Sequence, residues 1–383
     1  MTSGRRFIPE VDGLRFLAIS GVVLFHLSGY TSAQHMSAAS MRPADLTVRS
    51  FLQLGSFGVQ LFFLLSGFVL ALPFAKWRLG IAARPSLQRY YLRRLTRLEP
   101  PYFIALCAIF LTGAFLHRAG LQAQEWPTLA HWPNLIASFF YQHNLFYGRG
   151  SRILTAAWSL EIEVQFYLLA PLLAVVFSIA RVWARRSLLL FLLFAIPALR
   201  TVLPADALSV PSLLLYLEWF LAGFLLADFY LVDWQESPSH SYYWDFLNLI
   251  AWAALLWTFS IQRFPVLEPP LALVAYIGVF RSRIANWLIT RHPITTIGGM
   301  CYSIYLLHWH VISATVFFVR RWRVGSSFLS RFSIDLLIIL PIVLLVATAF
   351  FSLIERPCMD PAWVARLAGK FRQPKLSTRD LVA

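Results

Sequence analysis

The chain has 383 residues, of which 58% are hydrophobic and only 13% charged. A soluble domain carries about 25% charged residues, so this composition, with a mean hydropathy of +0.64, excludes a water-soluble protein. The net charge of +15 would fit nucleic acid in a soluble protein, but membrane proteins gather Lys and Arg in their cytoplasmic loops, so no nucleic-acid partner is expected.

A span needs about 20 mostly apolar residues. Ten such stretches follow in chain order, near 13–30, 56–75, 99–116, 156–178, 187–203, 211–230, 245–262, 266–282, 297–319 and 333–354. Backbone groups in lipid must be satisfied within the segment, which makes these spans helices, and the alternation of barrel strands is absent. The start of the chain lacks a cleavable-signal layout, so the first stretch is expected to stay as a span. The expectation is an all-α integral membrane protein. It has about ten transmembrane helices in one bundle over residues 1–360 and a short cytoplasmic tail over 361–383.

Loop charge sets the orientation. The loop after the second span holds Lys76, Arg78, Arg84, Arg89, Arg93, Arg94 and Arg97, with no acid before Glu99, and is expected to be cytoplasmic. Arg5 and Arg6 then lie inside, as do Arg181, Arg185 and Arg186, and Arg281, Arg283 and Arg291. Ten spans put both termini in the cytoplasm, where Arg366, Lys370 and Arg372 fit. Arg320, Arg321, Arg323 and Arg331 disagree, because this count turns them outward. The longest outward segment is 117–155, and loops of that length are often functional.

The first span contains two costly polar groups, Arg15 and His26, 11 residues apart. At about 100° per residue they return to one helix face, separated by a rise of about 16 Å. One reading makes Arg15 a snorkelling interface residue and His26 a hydrogen-bonded core histidine. The other makes Arg15 an anion anchor and His26 a general base for the far end of a long, phosphate-bearing substrate such as an acyl-coenzyme A. From the residues alone both stay open.

Arg94 and Arg97 are three apart on one helix face, either as a lipid-facing anchor or as a phosphate clamp. In the fourth span Ser159, Glu163 and Tyr167 form one polar stripe. Interhelical hydrogen bonds account for Ser159 and Tyr167. Glu163 needs a charged partner, with His26 or an arginine the natural choice. Glu161 is expected at the outward interface, and Trp158 as an interface anchor or an acceptor wall. Glu218 in the sixth span is either an acid–base group or half of an ion pair. In the ninth span Tyr305 and His308 are helix neighbours, whereas His308 and His310 cannot share a face. Gly58 and Gly67 are expected to let helices approach closely. Cys107, Cys301 and Cys358 show neither pairing nor metal spacing and are expected to pack. No set of ligands has metal spacing, so no metal is expected. Glu355 and Arg356 are expected to form a helix-end pair.

Six motifs in one order carry a resemblance that covers almost all of residues 7–357. They are Asp12-Gly13-Leu14-Arg15 followed by His26, GVQLFFLLSGF from Gly58 to Phe68, and RRLTRLEP from Arg93 to Pro100. WSLEIEVQFY from Trp158 to Tyr167, CYSIYLLHWHVI from Cys301 to Ile312 and LIERP from Leu353 to Pro357 complete the series. The chain resembles the acyltransferase 3 family of membrane O-acyltransferases. It departs from the family pattern at Gln60, where Asp is frequent, and at His310, where Pro is usual.

The resemblance implies an enzyme of the plasma (inner) membrane. It would move an acyl group, commonly acetyl, from cytoplasmic acetyl-CoA or another acyl-CoA to a hydroxyl. The implied acceptor is a carbohydrate of exopolysaccharide, lipopolysaccharide or lipo-oligosaccharide, with a small molecule such as a macrolide as the alternative. His26 and Glu163 become the catalytic candidates, Arg15, Arg94 and Arg97 the coenzyme A ligands, and Trp158, Tyr305 and His308 the acceptor-side candidates. The rivals from other classes are a transporter and a non-catalytic component of a polysaccharide assembly complex. Against the former, no two matching halves with Gly/Pro-broken spans are visible.

Overall fold

The computed structural model describes residues 7–33, 41–121, 126–148, 150–204, 210–319, 327–360 and 363. Arg5, Arg6, Arg320, Arg321, Arg323, Arg366, Lys370 and Arg372, on which part of the orientation argument rests, lie outside the described residues, as does the tail over 361–383 apart from residue 363.

The described elements are helical, and no strand forms among the described residues. Fifteen helices are used below. They are α1 (Pro9–Ala33), α2 (Pro43–Gln53), α3 (Gly58–Arg78), α4 (Leu87–Arg118), α5 (Trp132–Phe139), α6 (His143–Tyr147), α7 (Trp158–Leu173) and α8 (Val182–Arg200). Then come α9 (Leu217–Asp228), α10 (Tyr242–Ile261), α11 (Glu268–Arg281), α12 (Ile284–Ile289), α13 (His292–Gly299), α14 (Cys301–Val319) and α15 (Phe328–Phe350).

Seven helical stretches among the described residues are long and apolar enough to cross a membrane: Pro9–Ser32, Pro43–Arg78, Leu87–Arg118, Thr155–Ser178, Val182–Arg200, Tyr242–Ile261 and Phe328–Cys358. The sequence windows 211–230, 266–282 and 297–319 are helical as well. However, α9 and α11 have 12 and 14 residues, which at about 1.5 Å per residue fall well short of a hydrocarbon core of about 30 Å. Helix α9 is instead almost wholly buried by protein, and α11 is buried along most of its length. The chain is a multi-pass helical membrane protein.

Two apolar cores divide the bundle. One gathers α3, α7, α8, α9 and α11 around Phe68, Phe166, Phe220 and Phe224. The other gathers α4, α14 and α15 around Tyr102, Ile312 and Phe328. Helix α1 joins them, with Val11, Leu14 and Ala18 in the first and Ile19, Val22, Val23 and Leu27 in the second. Close approach makes the first core possible. A Cβ on Gly67 would strike the Phe220 carbonyl, and one on Gly223 would strike the Leu64 carbonyl across the same α3–α9 crossing. Gly58 meets α1 at Ala18 in the same way. Small residues at such crossings are how membrane helices gain dispersion contacts without help from hydrophobic exclusion.

The segment expected to be an outward loop does more than connect spans. Pro127 packs against Gly113 of α4, the Tyr102 hydroxyl donates to the Ser138 carbonyl at 2.9 Å, and the Tyr141 hydroxyl donates to Glu99 at 3.0 Å. Gly113 to Glu99 is about 21 Å along a helix. The segment therefore runs back down α4 as a re-entrant hairpin of α5 and α6. Non-helical backbone at such depth must be buried in protein and satisfied there. Glu161 does this. It is buried, and its two oxygens accept the backbone N–H groups of His143 at 3.2 Å and Asn144 at 2.8 Å. Glu161 thus faces the protein interior, where burial is tolerable because the carboxylate ties down two otherwise unmet donors. The Asn144 amide in turn donates to the Trp158 carbonyl at 2.9 Å.

Ion pairs brace α8 against α9 at both ends. Buried Arg185 meets Asp228 at 2.5 Å, and Arg200 meets Glu218 at 2.7 Å. Glu218 is therefore an ion-pair partner, which decides between the two readings of it.

Candidate active site

A cavity of about 710 Å³ opens where the two cores meet. Its walls come from α1, α3, α4, α7, α14 and the wide π turn Phe351–Glu355 that ends α15. Six arginines line it, Arg15, Arg84, Arg89, Arg93, Arg94 and Arg97, against the carboxylates Glu99, Glu163 and Glu355. The surplus of positive charge makes it an anion-receiving site.

The guanidiniums differ in what holds them. Arg15 bonds Asp12 at 2.7 Å one helical turn earlier, which fixes its fork at the cavity wall. The Arg94 guanidinium lies between two tyrosine rings, 4.9 Å from Tyr90 and 4.8 Å from Tyr167. The Nε atoms of Arg94 and Arg97 are buried with no hydrogen-bond partner among the described residues. Aromatic faces position a guanidinium and leave its donors free for a bidentate acceptor.

Glu163 accepts the Ser66 hydroxyl at 2.5 Å, from the GVQLFFLLSGF stretch of α3. Glu355 does not pair with Arg356 as a helix-end cap. The π turn rotates it inward, where it accepts the backbone N–H of Ser303 at 3.1 Å and the Ser303 hydroxyl at 2.5 Å. π turns inside helices recur at functional sites, but Leu353 to Pro357 carries no periodic sign of one. Glu99, held by Tyr141, and Glu355 are cavity carboxylates to which the sequence assigned no place in the site.

At the inner end stand Ser159 and Tyr305, whose hydroxyls are 2.6 Å apart, and Tyr305 also donates to the Ala156 carbonyl at 2.7 Å. The cavity thus brings together Arg15, Arg94, Arg97, Glu163 and Tyr305 of the expected site residues. His26, His308 and Trp158 do not line it. His26 sits beyond Tyr305, its ring 5.2 Å from that of His308, which is 5.9 Å from Tyr305. Trp309 meets the His26 ring edge-on at 4.6 Å. His310 turns the other way, against Trp126 at 5.2 Å. Trp158 packs on Tyr216 at 5.8 Å. The departing residue Gln60 leaves its Oε1 buried without a partner among the described residues. Cys301 also lines the cavity, and all three cysteines are unpaired. Among the described residues no group of three His, Cys, Asp or Glu could hold a metal ion.

A multi-pass helical bundle enclosing an arginine-lined cavity next to a histidine pair, His26 half-buried and His308 fully buried, is the frame of a membrane enzyme or carrier of anionic molecules. The profile of the acyltransferase domain matches residues 8–356, and the chain belongs to this acyltransferase 3 family. It is 27% identical over 177 residues to the peptidoglycan O-acetyltransferase OatA of Listeria monocytogenes, covering 45% of this chain and 25% of that protein. It is 24% identical over 336 residues to the O-acetyltransferase OatA of Staphylococcus aureus, covering 80% of this chain and 51% of that one. It is 23% identical over 367 residues, covering 92% and 83%, to BcsY of Komagataeibacter xylinus, a membrane-bound protein that carries the name of transacylase. The chain thus spans about a quarter of the first OatA and about half of the second. No solved structure matches it.

Proposed function

We propose that the chain is a membrane O-acyltransferase that moves an acyl group, most simply acetyl, from acyl-CoA to a carbohydrate hydroxyl. The observation that carries this reading is the cavity itself. Arginines with unfilled buried donors surround it, and its inner end reaches Ser159 and Tyr305 beside the histidines. Coenzyme A has the matching polarity, with charged phosphates at one end of a long flexible arm and a thioester at the other.

In this reading Arg15, Arg94 and Arg97 hold the phosphates, and Glu163, fixed by Ser66, balances their charge. The pantetheine arm brings the thioester past Tyr305. His26 takes the proton of the acceptor hydroxyl as its oxygen attacks the thioester carbonyl. The new carbon–oxygen bond forms, the carbon–sulfur bond breaks, and His26 returns the proton to the leaving thiolate. Arg15 and His26 lie on one unbroken helix, α1, with a rise of about 16 Å between them. That separation supports entry of donor and acceptor from opposite sides of the inner membrane, with the basic stretch from Lys76 to Arg97, the end of α3 and the start of α4, on the cytoplasmic side. The re-entrant hairpin and Trp158 then flank the acceptor path.

Membrane vesicles from a deletion strain complemented with each variant contain the native acceptor and test this. Radiolabelled acetyl-CoA should label membrane carbohydrate with the parent chain, and mass spectrometry of surface glycans should show one acetyl mass per modified sugar. His26→Ala should reduce labelling by about 10²–10⁴-fold. Near-parental labelling by His26→Ala would refute the mechanism, and absence of labelling with the parent would refute the activity.

A further inference from the structure

One polar atom beyond the cavity has no task in the fold. His308 Nδ1 lies 3.0 Å from the Ile304 carbonyl oxygen and 2.8 Å from the Tyr305 carbonyl oxygen, both on its own helix. Carbonyl oxygens only accept, so Nδ1 carries the hydrogen and Nε2 bears the lone pair. The side chain is fully buried, and Nε2 has no hydrogen-bond partner among the described residues. A buried acceptor without a donor is costly, and Leu or Phe would fill the same space without that cost. The ring nearest to it on α1 is that of His26, at 5.2 Å between centroids and 36° between planes. Trp309, next to His308 on the same helix, meets the His26 ring edge-on at 4.6 Å, so His26 contacts both rings.

Resting on the acyl-transfer reading of His26, we infer that His308 is a positioning residue that directs His26. The Ile304 and Tyr305 carbonyls hold it in the Nδ1–H tautomer, and its Nε2 is the acceptor for a ring N–H of His26. As one His26 nitrogen takes the proton of the attacking hydroxyl, the N–H on the other turns to His308 Nε2. The imidazolium is thereby oriented and stabilised, as a carboxylate does in a hydrolase triad. His308 gains no net proton. The hydroxyl proton travels from the acceptor to His26 and on to the thiolate released when the carbon–sulfur bond breaks. The cost of the unfilled lone pair is then removed at the step where charge develops on His26.

Two substitutions separate this role from packing. His308→Asn keeps an amide N–H near Nδ1 for the two carbonyls and deletes the acceptor at Nε2. His308→Gln places an amide oxygen near Nε2. In the same vesicles, His308→Asn should lower the maximal labelling rate per enzyme by about 10²-fold, with the KM for acetyl-CoA within about twofold of the parent. His308→Gln should recover at least part of that loss. Equal rates for the two variants, or a parental rate for His308→Asn, would overturn the inference while leaving the activity and His26 intact. Imidazole nitrogen NMR of the purified full chain labelled with 15N-histidine, assigned by the His308→Asn spectrum, needs no turnover. It should show a protonated Nδ1 and a bare Nε2 for His308. A protonated Nε2 would overturn the inference even if the parent enzyme transferred acetyl normally.

Discussion

Removing Arg97 should weaken coenzyme A binding far more than removing Arg84, although both line the same cavity. Arg97 is half-buried, and its buried Nε has no hydrogen-bond partner among the described residues. A phosphate oxygen that accepts from it forms a charge-assisted bond shielded from water. Such a bond contributes about 1.5–3 kcal/mol, and every 1.4 kcal/mol is a factor of ten, so Arg97→Ala should raise the Kd for coenzyme A by about 10- to 100-fold. Arg84 is exposed and stacks on Trp77 at 5.1 Å. An exposed charge contributes about 0.2–1 kcal/mol, so Arg84→Ala should cost about fivefold at most. Titration calorimetry of the detergent-solubilised chain with coenzyme A, at low and at high salt, measures both. Rising salt should erase the Arg84 effect and leave most of the Arg97 effect, because a buried pair is screened less. Parental affinity in Arg97→Ala, or a larger loss in Arg84→Ala, would refute the assignment of the cavity to the donor phosphates.

Arg15→Lys should restore only part of the coenzyme A affinity lost in Arg15→Ala, since an ammonium cannot make the planar two-pronged contact; the same calorimetry reads it, and full recovery would point to charge alone. Glu161→Ala should lower the unfolding temperature of the solubilised chain, because two buried N–H groups at His143 and Asn144 lose their acceptor, at about 1–3 kcal/mol each. Its effect on coenzyme A affinity should be small, since Glu161 does not line the cavity. Gly67→Val should prevent folding or strongly destabilise the chain, as its side chain would meet the Phe220 backbone; an unchanged melting curve would contradict the α3–α9 crossing.

The helices themselves were legible because each one is specified locally. Windows such as 13–30 and 333–354 carry their own apolar runs, and lipid leaves the backbone no other choice. The site was legible only in part. Arg15, Arg94, Arg97 and Glu163 stand out as charges in or beside spans, and they do converge on one cavity. Glu355 was misassigned because its inward turn depends on a π turn at Phe351–Glu355 that no periodicity announces. The 117–155 segment reads as an outward connection because it lies between apolar runs, whereas the backbone N–H groups of His143 and Asn144 within it find their acceptor in buried Glu161 of α7, a contact that no local pattern announces.

The sequence by itself determined that this protein is a multi-pass helical bundle with the ordered motifs of an acyltransferase 3 domain. Hydropathy, helical spacing and short motifs are properties of neighbouring residues and need no fold to be read. Only the tertiary structure decided that His26 lies one aromatic layer beyond the cavity that holds Arg15, with His308 rather than Glu163 at its side. Residues on one helix share a face by periodicity, but residues from different helices meet only where packing brings those faces together. Here that is decided by backbone approach at Gly67 and Gly223, by the ion pairs at both ends of α8 and α9, and by a re-entrant hairpin whose polar groups are satisfied from helices far away in the chain.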